Sequence, residues 1–182
     1  MVDPTSSQLI LVNGPSRGGK SRWAEHLLSQ SSIVTYIATS ACRPDDMDWQ
    51  KRLLLHRQRR PEHWMLLECE ENLSAALAEI DPNSDLLIDS LGGFVAWHLE
   101  AADEEWDVLV KALLDDLSNL KRLCVVVIEE TGWGVIPPTA VGGLFRDRLG
   151  ALAQRLDAKA SRSWLVLQGR AIDLHAISRL VP

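Results

Sequence analysis

The sequence predicts a single α/β domain, residues 1–182, with a mainly parallel sheet flanked by helices. Short apolar runs alternate with amphipathic stretches, which is the pattern of βαβ units. Most runs are continuous in Val, Ile and Leu, as expected for strands that are covered on both faces. A length of 182 residues suits one domain with a sizeable core, and no linker or repeat divides it.

Each element is predicted from its own periodicity and its flanking turn residues. The apolar runs predict strands at 8–13, 32–38, 64–69, 85–90, 123–130 and 163–169. The amphipathic stretches predict helices at about 20–30, 45–59, 72–80, 104–120 and 141–160. Segments 81–85 and 136–143 are rich in Pro, Gly, Asn or Asp, so they are predicted to be loops.

Composition argues against several classes of protein. Hydrophobic residues make up 46% of the chain, and the formal charge of −6 disfavours a general nucleic-acid binder. Three widely spaced cysteines suggest neither a disulfide framework nor a zinc site. The first residues are polar, and no apolar run reaches the roughly 18 residues that span a bilayer. We therefore expect a cytoplasmic protein with no nucleic-acid or membrane partner.

Residues 14–21, GPSRGGKS, predict a phosphate-binding loop. Gly14, Gly19, Lys20 and Ser21 match G-x-x-x-x-G-K-[ST] between a predicted strand and a predicted helix, which is the context that this motif requires. Backbone N–H groups of such a loop point into one concavity, and the helix N-terminus adds positive potential. Lys20 is expected to reach the β- and γ-phosphates, and Ser21 to hold Mg²⁺.

An acid at the end of another strand predicts the partner of the magnesium ion. Asp89 closes the apolar run DLLID, as a Walker-B residue does. Glu129 and Glu130 close VVVIEE and compete for the same role. The alternative is that these acids simply end their strands at the solvent boundary.

The segment 45–64 is predicted to be a helix whose acidic start and basic end suit the helix dipole. Asp45 or Asp46 is the expected N-cap, and Pro61 is expected to stop the helix near Arg59. Within this helix lies His56, the candidate nucleophile.

His56 shares a predicted helix face with Trp49 and Leu53, a spacing that also suits a packed core residue. The arginines that follow it would by themselves suit a solvated face. Beside a phosphate loop, however, arginines suit phosphate oxygens, and a neutral imidazole can attack phosphorus.

Four segments together resemble one enzyme family. They are GPSRGGKSRWAE, YIATS, H-R-x-x-R-P-x-x-W at 56–64, and GWGVIPP…FRDRLGALAQRL at 132–156. In this order, from about residue 9 to 174, they resemble the bifunctional adenosylcobinamide kinase / adenosylcobinamide-phosphate guanylyltransferase of cobalamin biosynthesis. The loop is common to many families, whereas the His-Arg-x-x-Arg-Pro segment and the last segment are much more particular to this one.

The resemblance implies a RecA-like P-loop NTPase fold, a homotrimer and two reactions. First, ATP or GTP phosphorylates the aminopropanol hydroxyl of adenosylcobinamide. A histidine then attacks the α-phosphate of GTP and releases pyrophosphate, and the guanylyl-histidine passes GMP to the cobinamide phosphate. Mg²⁺, the loop lysine and the arginines would offset charge at phosphorus.

Site residues follow by matching positions. His56 takes the place of the catalytic histidine, and Ser21 and Asp89 are the implied Mg²⁺ ligands. The implied nucleotide-binding residues are Gly14, Pro15, Ser16, Arg17, Gly18, Gly19, Lys20, Ser21, Ala38, Thr39, Ser40, Arg57, Gln58, Arg59, Arg60, Glu68 and Asp89.

The chain also departs from the family pattern. Asp-Cys-Leu-Thr becomes residues 89–92, Asp-Ser-Leu-Gly, and Asn-Glu-Val-Gly becomes residues 129–132, Glu-Glu-Thr-Gly. Ala153 replaces an Asn, and the segment 170–182 is longer and more polar than usual. The nucleotide-binding residues are retained, so a bifunctional enzyme is the first hypothesis. A kinase that never guanylylates, or a regulatory subunit that uses the loop as a switch, are the alternatives.

Tryptophan is abundant, with seven residues against one tyrosine. Trp23, Trp64 and Trp164 are predicted to pack in the core. Trp133, which lies between two glycines, either stacks on a flat ligand or covers the core.

Overall fold

The fold is a seven-stranded sheet with helices on both faces, and it confirms the predicted architecture. A computed structural model describes residues 8–41, 45–134 and 137–181, apart from the side chains of Trp49 and Arg52. The strands are β1 Leu9–Gly14, β2 Val34–Ala38, β3 Met65–Glu68, β4 Asp85–Asp89, β5 Cys124–Glu129, β6 Arg162–Leu167 and β7 Arg170–Asp173. The helices are α1 Lys20–Leu27, α2 Met47–Arg59, α3 Leu73–Glu79, α4 Leu91–Trp97, α5 Asp103–Asn119, α6 Ala140–Asp157 and α7 Leu174–Ile177.

The strand order is β3-β2-β4-β5-β1-β6-β7, and each neighbouring pair is parallel except β6–β7. Strand β5 therefore lies between β1, which leads into the phosphate loop, and β4, which ends at Asp89. The carboxyl ends of parallel strands meet at one edge of the sheet, where ligands bind in open α/β folds. This order places the predicted site residues along that edge.

The continuous apolar strands supply two cores, one on each face of the sheet. Alternate β5 residues separate cleanly: Cys124, Val126 and Ile128 belong to one buried cluster, whereas Val125 and Val127 belong to the other. Helices α3, α4, α5 and α6 pack on the first face, and α1 packs on the second. Burial on both faces is why these strands read as unbroken apolar runs.

The six predicted strands and five predicted helices are all present, with ends that differ by one or several residues. Helix α2 ends at Arg59, two residues before Pro61, as predicted. Helix α4, strand β7 and helix α7 were not predicted. Two glycines interrupt the helical pattern of α4, and β7 is a short edge strand whose sequence, RAID, begins and ends with a charged residue.

Two of the three cysteines lie in the described residues, and both are buried without a disulfide. Burial raises the pKa of Cys124 to about 12, which leaves it unreactive at neutral pH. Cys42 and the residues Val135 and Ile136 of the GWGVIPP segment lie outside the described residues. No helix in the described part of the chain is long and apolar enough to cross a membrane.

Candidate active site

The phosphate loop connects β1 to α1 in the conformation that its glycines allow. Gly14 has φ 150° and Gly19 has φ 110°, both in the region that disfavours side chains. Gly18 N–H donates to the Pro15 carbonyl at 3.1 Å, which closes the turn. Helix α1 begins at Lys20, directly after Gly19. The predicted strand–loop–helix context is therefore present.

Strand β6 packs directly against the phosphate loop. A Cβ atom on Gly14 or Gly18 would collide with the Val166 carbonyl, so the two backbones can approach only because both positions are glycine. Gly169, in the β6–β7 turn, also donates its N–H to the Gly18 carbonyl at 2.9 Å. The loop is thus held in place by the last hairpin of the sheet as well as by β1.

Lys20 is buried and lies across the loop. Its Nζ donates to the Pro15 carbonyl at 2.9 Å, and the side chain is 8% exposed. This contact holds the ammonium group over the turn where the motif places a triphosphate. Ser21, the implied Mg²⁺ ligand, is the second residue of α1.

The strand register aligns three predicted site residues. Ala38 at the end of β2 pairs with Glu68 on one side and with Asp89 on the other. At the end of β5, Glu129 pairs with Gly14 at the start of the loop. Candidate residues from five separate strands therefore lie at the same edge of the sheet.

His56 and Asp89 meet on the α1 face of this edge. The distance from His56 Nδ1 to Asp89 Oδ2 is 3.9 Å, and both side chains are largely buried, at 21% and 11% exposure. The same Asp89 oxygen accepts a hydrogen bond of 2.9 Å from Tyr36 Oη. The helix α2 and the strands β2 and β4 thus contribute one residue each to a chain of polar contacts, Tyr36–Asp89–His56.

Tyr36 is the part of this chain that the sequence did not reveal. Burial raises the pKa of its phenol well above the ordinary value, and the nearby Asp89 charge adds to the rise. The phenol therefore stays protonated and keeps donating to Asp89. The only available signal was a single tyrosine in a mostly apolar strand, which also suits simple packing.

The arginines after His56 tie α2 to three neighbouring elements. Arg59 forms two hydrogen bonds with Glu25 of α1, at 3.0 and 3.3 Å. The Arg60 guanidinium lies 5.0 Å from the Tyr36 ring centroid, a cation–π contact. Arg57 lies 3.9 Å from Glu68, but both side chains are mostly exposed, so that pair is weak.

These contacts fix the place of His56 relative to the loop. Glu25 is on α1, which starts at Lys20, so the Arg59–Glu25 pair connects the end of α2 to the helix of the phosphate loop. No local sequence pattern singled out Glu25. Arg59 Nη2 is also 3.4 Å from His56 Nδ1, a long contact beside its shorter bond to Glu25. Gln58, on the same turn, is exposed.

The segment 38–40 is less open than the prediction implied. Thr39 is fully buried, and its hydroxyl donates to the Ser90 carbonyl. The indole N–H of Trp97 donates to the Thr39 carbonyl at 3.0 Å. The side chain of Thr39 therefore joins β2 to α4, whereas Ala38 and Ser40 are partly exposed beside it.

Glu129 competed with Asp89 for a site role, and its carboxylate has two donors of its own. The Ser90 hydroxyl donates to one oxygen, and the Gly92 N–H donates to the other at 3.1 Å. Glu130 accepts from the N–H of Gly132 within its own turn. Glu129 therefore caps the start of α4, and of the three acids Asp89 is the one in contact with His56.

The described residues include no group of three or more His, Cys, Asp or Glu side chains suited to a metal ion. A nucleotide-bound Mg²⁺ does not need one, because it keeps several waters and takes phosphate oxygens with one or two protein ligands. The hydroxyl of Ser21 and the carboxylate of Asp89 are oxygen donors of the right kind for such an ion.

The tryptophans divide as predicted where the structure describes them. Trp64 is buried in the α1-face core, with Trp23 and Trp164 packed against it while partly exposed. Trp133 is 60% exposed and covers no core. Its possible contact with a flat ligand stays a prediction.

Comparisons with known proteins identify the family of this chain. The model of the cobinamide kinase / cobinamide phosphate guanyltransferase family matches residues 10–174. The chain is 35% identical to the bifunctional adenosylcobalamin biosynthesis protein CobU of Escherichia coli (strain K12), over 91% of this chain and 99% of that protein. It is 34% identical to the bifunctional adenosylcobalamin biosynthesis protein CobP of Pseudomonas aeruginosa, over 90% of this chain and 95% of that one.

Among solved structures, a protein of Pyrococcus horikoshii OT3 superposes with a TM-score of 0.54 at 8% identity, covering 93% of this chain and 86% of that one. This likeness supports the fold alone. Because the family match spans the phosphate loop, the histidine helix and the strand ends that meet beside them, the chain belongs to the cobinamide kinase / cobinamide phosphate guanyltransferase family.

Proposed function

We propose that this chain carries out both reactions of its family, with the phosphate loop as the holder of the triphosphate and His56 as the acceptor of GMP. The observation that carries the proposal is the position of His56. Its imidazole lies against Asp89 at the carboxyl edge of the sheet, and α2 is tied through Arg59 and Glu25 to the helix of the loop.

In the guanylyl transfer, an imidazole nitrogen of His56 attacks the α-phosphorus of GTP. A P–N bond forms, the bond between the α-phosphorus and the bridging oxygen breaks, and pyrophosphate leaves with the electron pair. Because Asp89 faces Nδ1, Nε2 is the proposed nucleophile, and the carboxylate offsets the positive charge that the imidazole gains. A phosphate oxygen of cobinamide phosphate then attacks the same phosphorus and restores His56.

In the phosphoryl transfer, the aminopropanol hydroxyl of adenosylcobinamide attacks the γ-phosphorus of ATP or GTP. Lys20 and the loop N–H groups stabilise the phosphates through charge and hydrogen bonds, so this step depends on the loop but not on His56. Mg²⁺, held by Ser21 with Asp89 and by the phosphates themselves, would supply further charge neutralisation.

Several exposed apolar side chains support the predicted homotrimer. Leu54 and Leu55 of α2 are 55% and 59% exposed, and Met65 on the edge strand β3 is 64% exposed. Apolar surface of this kind favours contact between chains. We also propose that the protein acts in the cytoplasm on small molecules and nucleotides alone, as its acidic composition suggested.

The two reactions can be separated experimentally. Incubation with GTP labelled at the α-phosphate is expected to give acid-labile, alkali-stable label on the protein, and His56→Ala is expected to abolish it. The same variant is expected to keep phosphorylating cobinamide. His63→Ala is the matched control, because His63 is an exposed histidine just beyond the end of α2.

The alternatives predict different results. A kinase that never guanylylates would take up no α-label while still phosphorylating cobinamide. A regulatory subunit would bind GTP and show neither activity. Lys20→Ala is expected to weaken both reactions, since both need the triphosphate in the loop.

A further inference from the structure

A cavity of about 220 Å³ lies on the side of the phosphate loop away from His56. It is lined by Gly19, Arg22, Trp23, Val166, Gly169 and Ala171. Strand β1 leads into the loop, β5 and β4 lie to one side of it with Asp89, and β6 and β7 lie to the other with this cavity. Of these lining residues, Gly19 alone is among the nucleotide-binding residues assigned above.

The lining suits a flat aromatic group. The indole of Trp23 packs against two other rings, with centroid distances of 5.0 Å to Trp164 and 5.2 Å to His26. The Arg22 guanidinium lies at the cavity over Gly19, where a Cβ atom would be 3.6 Å from Nη2. Indole and guanidinium are the side chains on which a planar base stacks best.

The cavity is smaller than the roughly 300–1,000 Å³ of a complete small-molecule site, so it suits one part of a ligand.

The loop supplies the remainder of that ligand site. The cavity shares Gly19 with the loop, so a triphosphate held there can continue into it. The turn that closes the cavity is held to the loop by the bond from Gly169 N–H to the Gly18 carbonyl. A ligand with phosphates at one end and a planar base at the other matches both parts.

The two reactions require the nucleoside to point in opposite directions from the phosphate loop. Guanylyl transfer needs the α-phosphorus at His56, which draws the nucleoside toward β4. Phosphoryl transfer needs the γ-phosphorus beside the aminopropanol hydroxyl of adenosylcobinamide, which is the acceptor. Once phosphorylated, the same aminopropanol arm must reach the guanylyl group on His56 in the later step. If the acceptor stays on the His56 side, the nucleoside of the phosphate donor points toward β6 and β7.

We propose that this cavity binds the purine base of the nucleoside triphosphate that donates its γ-phosphate. GTP bound for guanylyl transfer places its base on the other side of the loop, near Glu68 and Asp89. This inference rests on the proposed function for the existence of two reactions, but the binding site itself does not depend on His56.

Two variants test the cavity through its effect on each reaction. Ala171→Leu fills it, and Arg22→Ala removes the guanidinium; both are expected to raise the KM of ATP for cobinamide phosphorylation about tenfold. The KM of GTP for self-labelling is expected to change by less than about twofold, because that pose does not use the cavity. Arg170→Ala is the matched control, since it removes a charge from the same hairpin outside the cavity lining. Equal changes in both reactions, or no change in either, would overturn the proposal.

A binding measurement separates this proposal from the guanylyl-transfer mechanism. The wild-type protein is irradiated with 8-azido-ATP and Mg²⁺, and the cross-linked peptides are mapped. We expect ATP-protected cross-links within 22–23 or 168–171, and their loss in Ala171→Leu. Cross-links confined to residues 56–68, or none that ATP prevents, would contradict it. Because cross-linking needs no turnover, this result stands even if His56 accepts no GMP.

Discussion

Asp89 is held in place by residues from two other elements. Tyr36 donates to Oδ2 from β2, and the imidazole of His56 lies 3.9 Å from the same oxygen. Arg60 lies over the Tyr36 ring and completes the packing. A carboxylate fixed on one side by a phenol can orient an imidazole on its other side.

The Tyr36 hydroxyl can be removed while the buried aromatic ring is kept. Tyr36→Phe keeps the buried ring and the contact with Arg60 but frees Asp89 to rotate. A hydrogen bond to a charged group contributes about 1.5–3 kcal/mol, so we expect self-guanylylation to slow roughly tenfold or more. Phosphorylation of cobinamide is expected to change less. Single-turnover labelling with GTP measures the rate.

The account of this residue would be wrong if Tyr36→Phe labelled at the wild-type rate while Asp89→Asn labelled slowly. That result would mean that Asp89 needs no orientation by the phenol. A chemical-denaturation curve for each variant shows whether a lost rate reflects lost stability instead.

At the scale of elements, α6 is joined to the α4–α5 connection by a buried arginine. Arg148 is 6% exposed and donates to the carbonyls of His98 and Ala101 at 2.9 and 2.7 Å. Its guanidinium also lies 4.9 Å from the Trp106 ring. In the sequence this arginine only followed Phe-Arg-Asp, residues 145–147, within the segment FRDRLGALAQRL. Its role is to satisfy the carbonyls at the end of α4.

Arg148→Met is expected to lower the free energy of unfolding by about 3 kcal/mol or more, because buried carbonyls lose their donors. Arg155 offers a matched control on the same helix, since its pair with Asp107 is exposed. Arg155→Met is expected to cost less than about 1 kcal/mol. Urea denaturation compares the two, and equal losses would contradict the structural role of Arg148.

Two of the departures from the family pattern are neighbours in the structure. Gly92 stands where the family has Thr, and Glu129 stands where it has Asn. A Cβ atom on Gly92 would lie 2.5 Å from Glu129 Oε2, so the glycine makes room for the longer acid. The acid in turn accepts the Gly92 N–H and the Ser90 hydroxyl. The two changes therefore compensate each other.

A double-mutant cycle tests this compensation. Gly92→Ala is expected to destabilise the protein by about 1–3 kcal/mol through overpacking, and by less when Glu129→Asn withdraws the carboxylate. The expected coupling is about 1 kcal/mol. Gly150→Ala is the control, because nothing lies within 4 Å of a Cβ at this position of α6. Purely additive effects of the two changes would refute the compensation.

At the scale of the whole molecule, the sequence predicted most strands and helices and the phosphate loop, but not the order of the strands or the contacts between elements. Strands buried on both faces have a strong local signal, as does the G-x-x-x-x-G-K-[ST] loop, so both were found. Helix α4 was missed because the glycines in it have a tertiary cause, namely the close approach of Glu129 and Thr39. Glu129 is 37 positions from Gly92, and Thr39 is more than 50 positions from Gly93, so no local pattern contains either contact.

The candidate site shows the same limit. The G-x-x-x-x-G-K-[ST] pattern supplied the loop, the acid at a strand end supplied Asp89, and the resemblance supplied the role of His56. The strand register then brought the loop and Asp89 to one edge of the sheet. The sequence could not supply Tyr36 or Glu25, whose roles come from contacts between elements. Nor could it show that β5 separates the loop strand from β4, or that the β6–β7 hairpin supports the loop.

The most direct test of the account is to locate the guanylyl group on the chain. The wild-type protein is incubated with GTP and Mg²⁺, kept at alkaline pH, digested and analysed by mass spectrometry. The account predicts one guanylyl group per chain, on the peptide that contains His56, and its loss when cobinamide phosphate is added. A guanylyl group on another residue, or none on a folded protein that binds GTP, would contradict it.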